Sequence, residues 1–86
     1  MLKQIYLELI RSGVNPKHYT LANDVEQTDS QIDLDKNFYV QIGESYLILW
    51  QSLEGGEKMI QEVVVNKINN TTAINEFINK VKNQLN

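Results

Sequence analysis

The side chains able to do chemistry in this sequence fall between positions 33 and 57: the acids Asp33, Asp35, Glu44, Glu54 and Glu57, interleaved with Tyr39, Tyr46, Ile48 and Trp50. Rings beside carboxylates suit protein contact, in which aromatic groups anchor and charges select the partner. Catalysis asks for more. His18 is the only histidine and cysteine is absent, so the usual zinc ligand set is missing, and no spacing points to a Ser–His–carboxylate set. Gly55-Gly56 lacks the Lys and Ser/Thr partners of a phosphate loop. Asp33, Asp35, Asn37, Tyr39, Gln41 and Glu44 stand at positions 1, 3, 5, 7, 9 and 12 of a calcium-loop pattern. Phe38, however, occupies the position where such loops turn on Gly, and the flanks are not helical. The same residues read as a strand entering a hairpin. A chain this short offers no evident cleft in which a carboxylate pair would cleave a glycoside. The expectation is a protein that is not an enzyme and holds neither metal nor cofactor.

Charge adds a direction. Residues 1–23 carry a net +2 and residues 58–86 another +2, whereas residues 24–57 hold eight acids against Lys36 alone, giving −3 overall. An acidic block between two mildly basic ends is either a solvated loop and hairpin edge or a field that attracts a basic partner and repels nucleic acid.

The elements that must position these residues follow from periodicity. Leu2, Ile5, Tyr6, Leu9 and Ile10 repeat at helical spacing. Ser12-Gly13 and Pro16 end that helix. Tyr19-Thr20-Leu21 suits a short extended piece. Residues 22–37 read mostly as loop, with a short strand open at Ile32 and Leu34. Residues 38–42 and 46–51 are expected strands. A two-residue turn with Gly43 in its first central position pairs Ile42 with Ser45 and Gln41 with Tyr46. It sets Phe38, Val40, Ile42, Leu47 and Leu49 on one face and Tyr39, Gln41, Tyr46, Ile48 and Trp50 on the other. After a turn at Glu54-Gly55-Gly56-Glu57, residues 59–65 form a third strand. In it Met59, Gln61, Val63 and Val65 share one face and Ile60, Glu62 and Val64 the other. Asn70, Thr71 and Thr72 offer a cap to a last helix carrying Ile74, Phe77, Ile78, Val81 and Leu85. The expected fold is α+β, with a three-stranded antiparallel sheet and both helices on one face. The open face, with Tyr39, Tyr46, Ile48 and Trp50, is then either an aromatic contact patch or a second small core under segment 22–37.

At 86 residues the chain reads as one domain, 1–86, burying roughly 60–65% of its unfolded surface. The first residues lack the continuous apolar stretch of a secretory leader, and the longest apolar run, Tyr46 to Trp50, is too short to span a bilayer. With no cysteine, a cytoplasmic location is expected. Abundant Lys, Ile and Asn suggest AT-rich coding, bacterial or phage.

The element order matches that of the double-stranded RNA-binding domain, but the run 69–73, Asn-Asn-Thr-Thr-Ala, lacks that family's basic stretch, and the chain is acidic. A closer likeness lies in residues 18–21, 38–46, 49–51, 54–57 and 73–77: His-Tyr-Thr-Leu, Phe-Tyr-Val-Gln-Ile-Gly-Glu-Ser-Tyr, Leu-Trp-Gln, Glu-Gly-Gly-Glu and Ala-Ile-Asn-Glu-Phe. This pattern resembles small bacterial immunity proteins of polymorphic-toxin and contact-dependent inhibition systems, and the acidic insert at 22–37 departs from it. The resemblance implies a non-catalytic inhibitor that binds a toxin, often a nuclease with a basic active site. The expected partner is therefore a basic protein, with no nucleic acid and no membrane. The alternatives are a phage inhibitor of a host defence complex and a homodimer or larger homo-oligomeric structural module. The residues expected to meet the partner are Tyr39, Tyr46, Ile48, Trp50, Asp33, Asp35, Glu44, Glu54 and Glu57.

Overall fold

The computed structural model describes residues 2–20, 29–65 and 70–86. Its elements run α1 (Leu2–Arg11), β1 (His18–Thr20), β2 (Ser30–Asp33), β3 (Phe38–Ile42), β4 (Tyr46–Leu53), β5 (Gly56–Val64) and α2 (Asn70–Leu85). All five strands join one antiparallel sheet in the order β1-β2-β3-β4-β5. The class is α+β as expected, but the three-stranded sheet is corrected to five strands. The residues around Ile32 and Leu34, read mostly as loop, supply β2, and the short piece at Tyr19 becomes β1. Positions 21–28, which include the first part of the expected loop, lie outside the described residues.

The local reasons are visible in the backbone. Val14 N–H donates to Leu9 O at 2.9 Å and Gly13 N–H to Ile10 O at 3.0 Å, with Gly13 at φ +88°. These are the paired bonds of a Schellman stop, and burial of Val14 and Leu9 supplies its apolar contact. Between β2 and β3, Lys36 and Asn37 both take positive φ, 57° and 65°, and Phe38 N–H closes on Asp35 O at 3.1 Å. Two left-handed central residues are the mark of the type I′ turn, whose twist matches a hairpin. Gly55, at φ +90°, turns the chain between β4 and β5. α2 opens at Asn70, so Thr71 and Thr72, expected as caps, lie within the helix, and the residue before it is outside the described residues.

The β3–β4 register differs from expectation by two residues. Ile42 pairs with Leu47 and Gln41 with Ile48, and the loop residues are Glu44 and Ser45. Because side chains alternate with period two, a two-residue shift leaves every face assignment intact. The β5 faces do change. Leu49 pairs with Gln61 but Trp50 pairs with Met59, so Ile60 is an extra residue in a bulge. Met59 is thereby thrown to the open face, against expectation, and Ile60 packs on the core instead.

That core lies between the sheet and both helices. Ile5 and Leu9 of α1, Ile32, Val40, Leu47 and Leu49 of the sheet, and Ile74, Phe77, Ile78 and Val81 of α2 form one buried cluster. Leu2 and Val63, expected in the core, are only partly buried, and Ile10, which shares the apolar spacing of α1, is exposed. Lys36 Nζ ties the β2–β3 turn to the end of α2 by donating to Leu85 O at 2.8 Å. Among the described residues no helix is long and apolar enough to cross a membrane. Phe77 is the largest fully buried side chain. Phe77→Ala should lower the free energy of unfolding by about 3–5 kcal/mol in denaturant titrations; a loss below about 1 kcal/mol would contradict the assigned core.

Candidate functional site

Cross-strand pairing builds the open face in rows. His18, Asp33, Tyr39, Trp50 and Met59 are successive partners across the five strands. Gln31, Gln41, Ile48 and Glu62 form the next row, and Tyr46 and Val64 a third. Partners directly opposite point to the same side, so these residues share the face turned away from the helices.

Hydrogen bonds knit the rows together. Trp50 Nε1–H donates to Gln41 Oε1 at 2.7 Å, and Gln41 Nε2–H donates to an Asp29 carboxylate oxygen at 2.5 Å. The Tyr46 hydroxyl donates to the same carboxylate oxygen. In the first row, Gln31 Nε2–H donates to Asp33 Oδ1 at 2.8 Å, and His18 Nε2 lies 3.7 Å from Asp33 Oδ2. Tyr39 stacks on Trp50, ring centroids 6.4 Å apart and planes 17° apart. Ile48, at 6% exposure, is the floor of this face and not surface offered to a partner.

Gly43 has a role other than the turn position assigned to it. It pairs with Tyr46, donating its N–H to Tyr46 O at 3.0 Å, and its φ is not positive. A Cβ built there would overlap the Tyr46 ring. The missing side chain therefore lets that ring lie over the strand and reach Asp29, as aromatic residues cover glycine elsewhere in sheets.

Two tyrosines titrate abnormally. Burial chiefly, then a hydrogen bond to the Glu57 carboxylate, then the charges of Glu57 and Asp33, push the Tyr39 hydroxyl well above its ordinary value of 10.0. Tyr46 is raised as well, first by its hydrogen bond to Asp29 and then by burial. Each effect favours the neutral phenol in the folded protein.

Of the nine residues expected to meet a partner, Asp33, Tyr39, Tyr46, Ile48, Trp50 and Glu57 share the open face. Asp35 and Glu54 lie in turns at one end of the sheet, and Glu44 in the turn at the other. Asp35 is paired with Lys17 Nζ at 3.2 Å, both side chains being largely exposed, so that pair contributes about 0–1 kcal/mol. The calcium-like pattern is drawn out along β3 and cannot converge: Asp33 and Glu44 are separated by a strand's length, roughly 17–20 Å. Among the described residues no group of three His, Cys, Asp or Glu is placed to hold a metal ion. Asp29, Gln31, Glu62 and His18 were not expected in the site. Asp29 carries no sequence signal, because its role arises only when β2 folds beside β3.

The face is acidic throughout. Asp29, Asp33, Glu57 and Glu62 lie on it, and its described strand positions include no Lys or Arg, since Lys58, opposite Gln51, falls on the helix side. A separate cleft of about 380 Å³ beside α1 and β1 is lined by Leu2, Lys3, Tyr6, Leu7 and Tyr19. Its described lining holds no carboxylate, histidine or hydroxyl of Ser or Thr. Comparison with family models, with curated proteins and with solved structures returned no match.

Two outcomes follow from this geometry. Gly43→Ala should displace the Tyr46 ring and cost about 1–3 kcal/mol in denaturant melts, and most of that cost should vanish in a Tyr46→Ala background. An equal cost in both backgrounds would sever Gly43 from the ring. The raised phenols should stabilise the fold fully below the unfolded value of 10.0 and progressively less as pH rises above it. Tyr39→Phe should therefore flatten the alkaline fall in melting temperature; an unchanged slope would contradict the raised Tyr39 phenol.

Proposed function

We propose that this chain is a non-catalytic inhibitor that binds a basic protein, and that the partner is a toxin it neutralises as an immunity protein. The observation that carries the reading is the open face itself: a stacked Tyr39–Trp50 pair set among Asp29, Asp33, Glu57 and Glu62, with no cation among its described strand positions. Such a face suits a protein surface better than a small molecule, because its rings and carboxylates are spread across four strands of the sheet. Its sign favours basic partners and opposes phosphate backbones. The ring pair supplies rigid apolar area at low entropic cost, the composition of interface anchors. The resemblance of the aromatic hairpin and its acidic turn to toxin-binding inhibitors points the same way.

In this scheme the charges act before contact and the rings after it. Acids at Asp33 and Glu57 on the face, and at Asp35, Glu44 and Glu54 around its ends, generate the attractive field. Trp50 and Tyr46 hold the docked complex.

The experiment has two steps. The immobilised chain is used to capture a partner from its source cells, and that partner is expressed alone and together with the chain. The partner should be basic, should arrest growth when alone and should be harmless in the pair. Binding kinetics then test the division of labour. Replacing Asp33, Asp35, Glu44, Glu54 and Glu57 by their amides should slow association by about tenfold or more at low salt and by much less at high salt. Trp50→Ala should speed dissociation, by about 2 kcal/mol or more in affinity. Unaltered association at low salt, or a partner that is harmless alone, would overturn the proposal.

A further inference from the structure

Strand β5 closes one side of the sheet. Along its inner edge it pairs with β4, and among the described residues no strand pairs with its outer edge. The direction of its backbone groups follows from the ladder. Gly43 N–H donates to Tyr46 O at 3.0 Å and Ser52 N–H to Asn37 O at 2.8 Å, so Tyr46, Ile48, Trp50 and Ser52 turn their backbone groups toward β3. Val65 N–H donates to Ser45 O at 2.8 Å, which sets the alternate residues of β4 toward β5. Antiparallel alternation then points the N–H and C=O groups of Glu57, Met59, Glu62 and Val64 outward, away from the sheet.

The two edges of the sheet are unequal. β1 is three residues long and β5 nine. Folded proteins commonly shorten or cover their edges, because an open edge templates another strand. Here Met59 and Val64 stand 47% and 74% exposed on the open-face side of that edge. Between and beside them are Glu57 and Glu62. A second copy fits badly. Pairing two β5 strands with like faces together, Met59 against Glu62 and Glu57 against Val64, gathers four carboxylates on one face with no cation among them. A strand carrying Lys or Arg at alternate positions would meet those carboxylates instead.

We infer that the outer edge of β5 takes up an extended, basic segment of the partner as a sixth strand. Main-chain bonds to Glu57, Met59, Glu62 and Val64 supply the attachment, and cations opposite Glu57 and Glu62 supply the selection. This rests on the inhibitor reading for the partner's charge, but places the contact on the edge of the sheet and not only on its aromatic face.

The test uses the full chain and a nine-residue peptide alternating lysine and threonine, matched in length to β5, with a glutamate–threonine peptide as control. Amide exchange is followed by NMR. The lysine peptide should slow exchange at Met59, Glu62 and Val64 by about tenfold or more, and the glutamate peptide should not. Val64→Pro removes an outward donor while leaving the β4 ladder intact; it should keep the thermal midpoint near that of the parent chain and weaken the peptide by about tenfold or more. Glu57→Gln with Glu62→Gln, whose fold is unaffected by loss of backbone donors, should weaken it and flatten its salt dependence. Peptide binding that survives Val64→Pro, shifts confined to Tyr39 and Trp50, or no binding at millimolar peptide would each overturn the edge assignment. Those results leave the inhibitor reading standing, since a partner docked on the face alone still associates in an acid-dependent way; a captured partner that ignores the acids defeats that reading first.

Discussion

Burial of Val40, Leu47 and Leu49 against Ile5, Leu9 and Phe77 is the interaction on which the rest of the molecule depends. These three strand residues have no measurable exposure, and the alternation of β3 and β4 leaves them no other arrangement that buries them all. Once they face the helices, Tyr39, Gln41, Ile48 and Trp50 must face away. The open face is thus a by-product of the core, assembled in register by the same two strands. Its chemistry is then refined by contacts that alternation alone does not supply: Gly43 yields to the Tyr46 ring, and Gln41 relays hydrogen bonding from Trp50 to Asp29.

The elements with strong periodicity were legible in the amino-acid sequence. Both helices, the β3–β4 hairpin and the two face sets follow from apolar spacing, and the faces survive a two-residue error in register because the strand period is two. Other features were illegible for identifiable reasons. β2 is hidden in the sequence because its hairpin turns on Lys36 and Asn37, which adopt positive φ without glycine and so lack the usual turn signal. Met59 lies on the face opposite to the one strict alternation predicts, because a single bulge at Ile60 reverses the parity of what precedes it. Asp29 and Glu62 gain their place in the site only from strand neighbours distant in sequence.

The charge pattern survives this correction with a different shape. The acidic middle of the chain is not one loop. Among the described residues its carboxylates are divided between the open face, at Asp29, Asp33 and Glu57, and the turns at both ends of the sheet, and Glu62 joins from outside the block. Lys58 and Lys36 are turned to the helix side or its rim. The sheet thus separates charge by face as it separates apolar from polar side chains, and the rings sit on the acidic side. This separation, more than net charge, is what supports the proposal of a basic protein partner.

The most direct measurement is the hydrogen-exchange footprint of a captured basic partner on the full chain. Protection concentrated on β3, β4 and β5, with Trp50 and Tyr39 side-chain signals shifted and the exposed faces of α1 and α2 unchanged, is the predicted result. A footprint on the helices, with the open face of the sheet exchanging as in the free chain, would contradict the account.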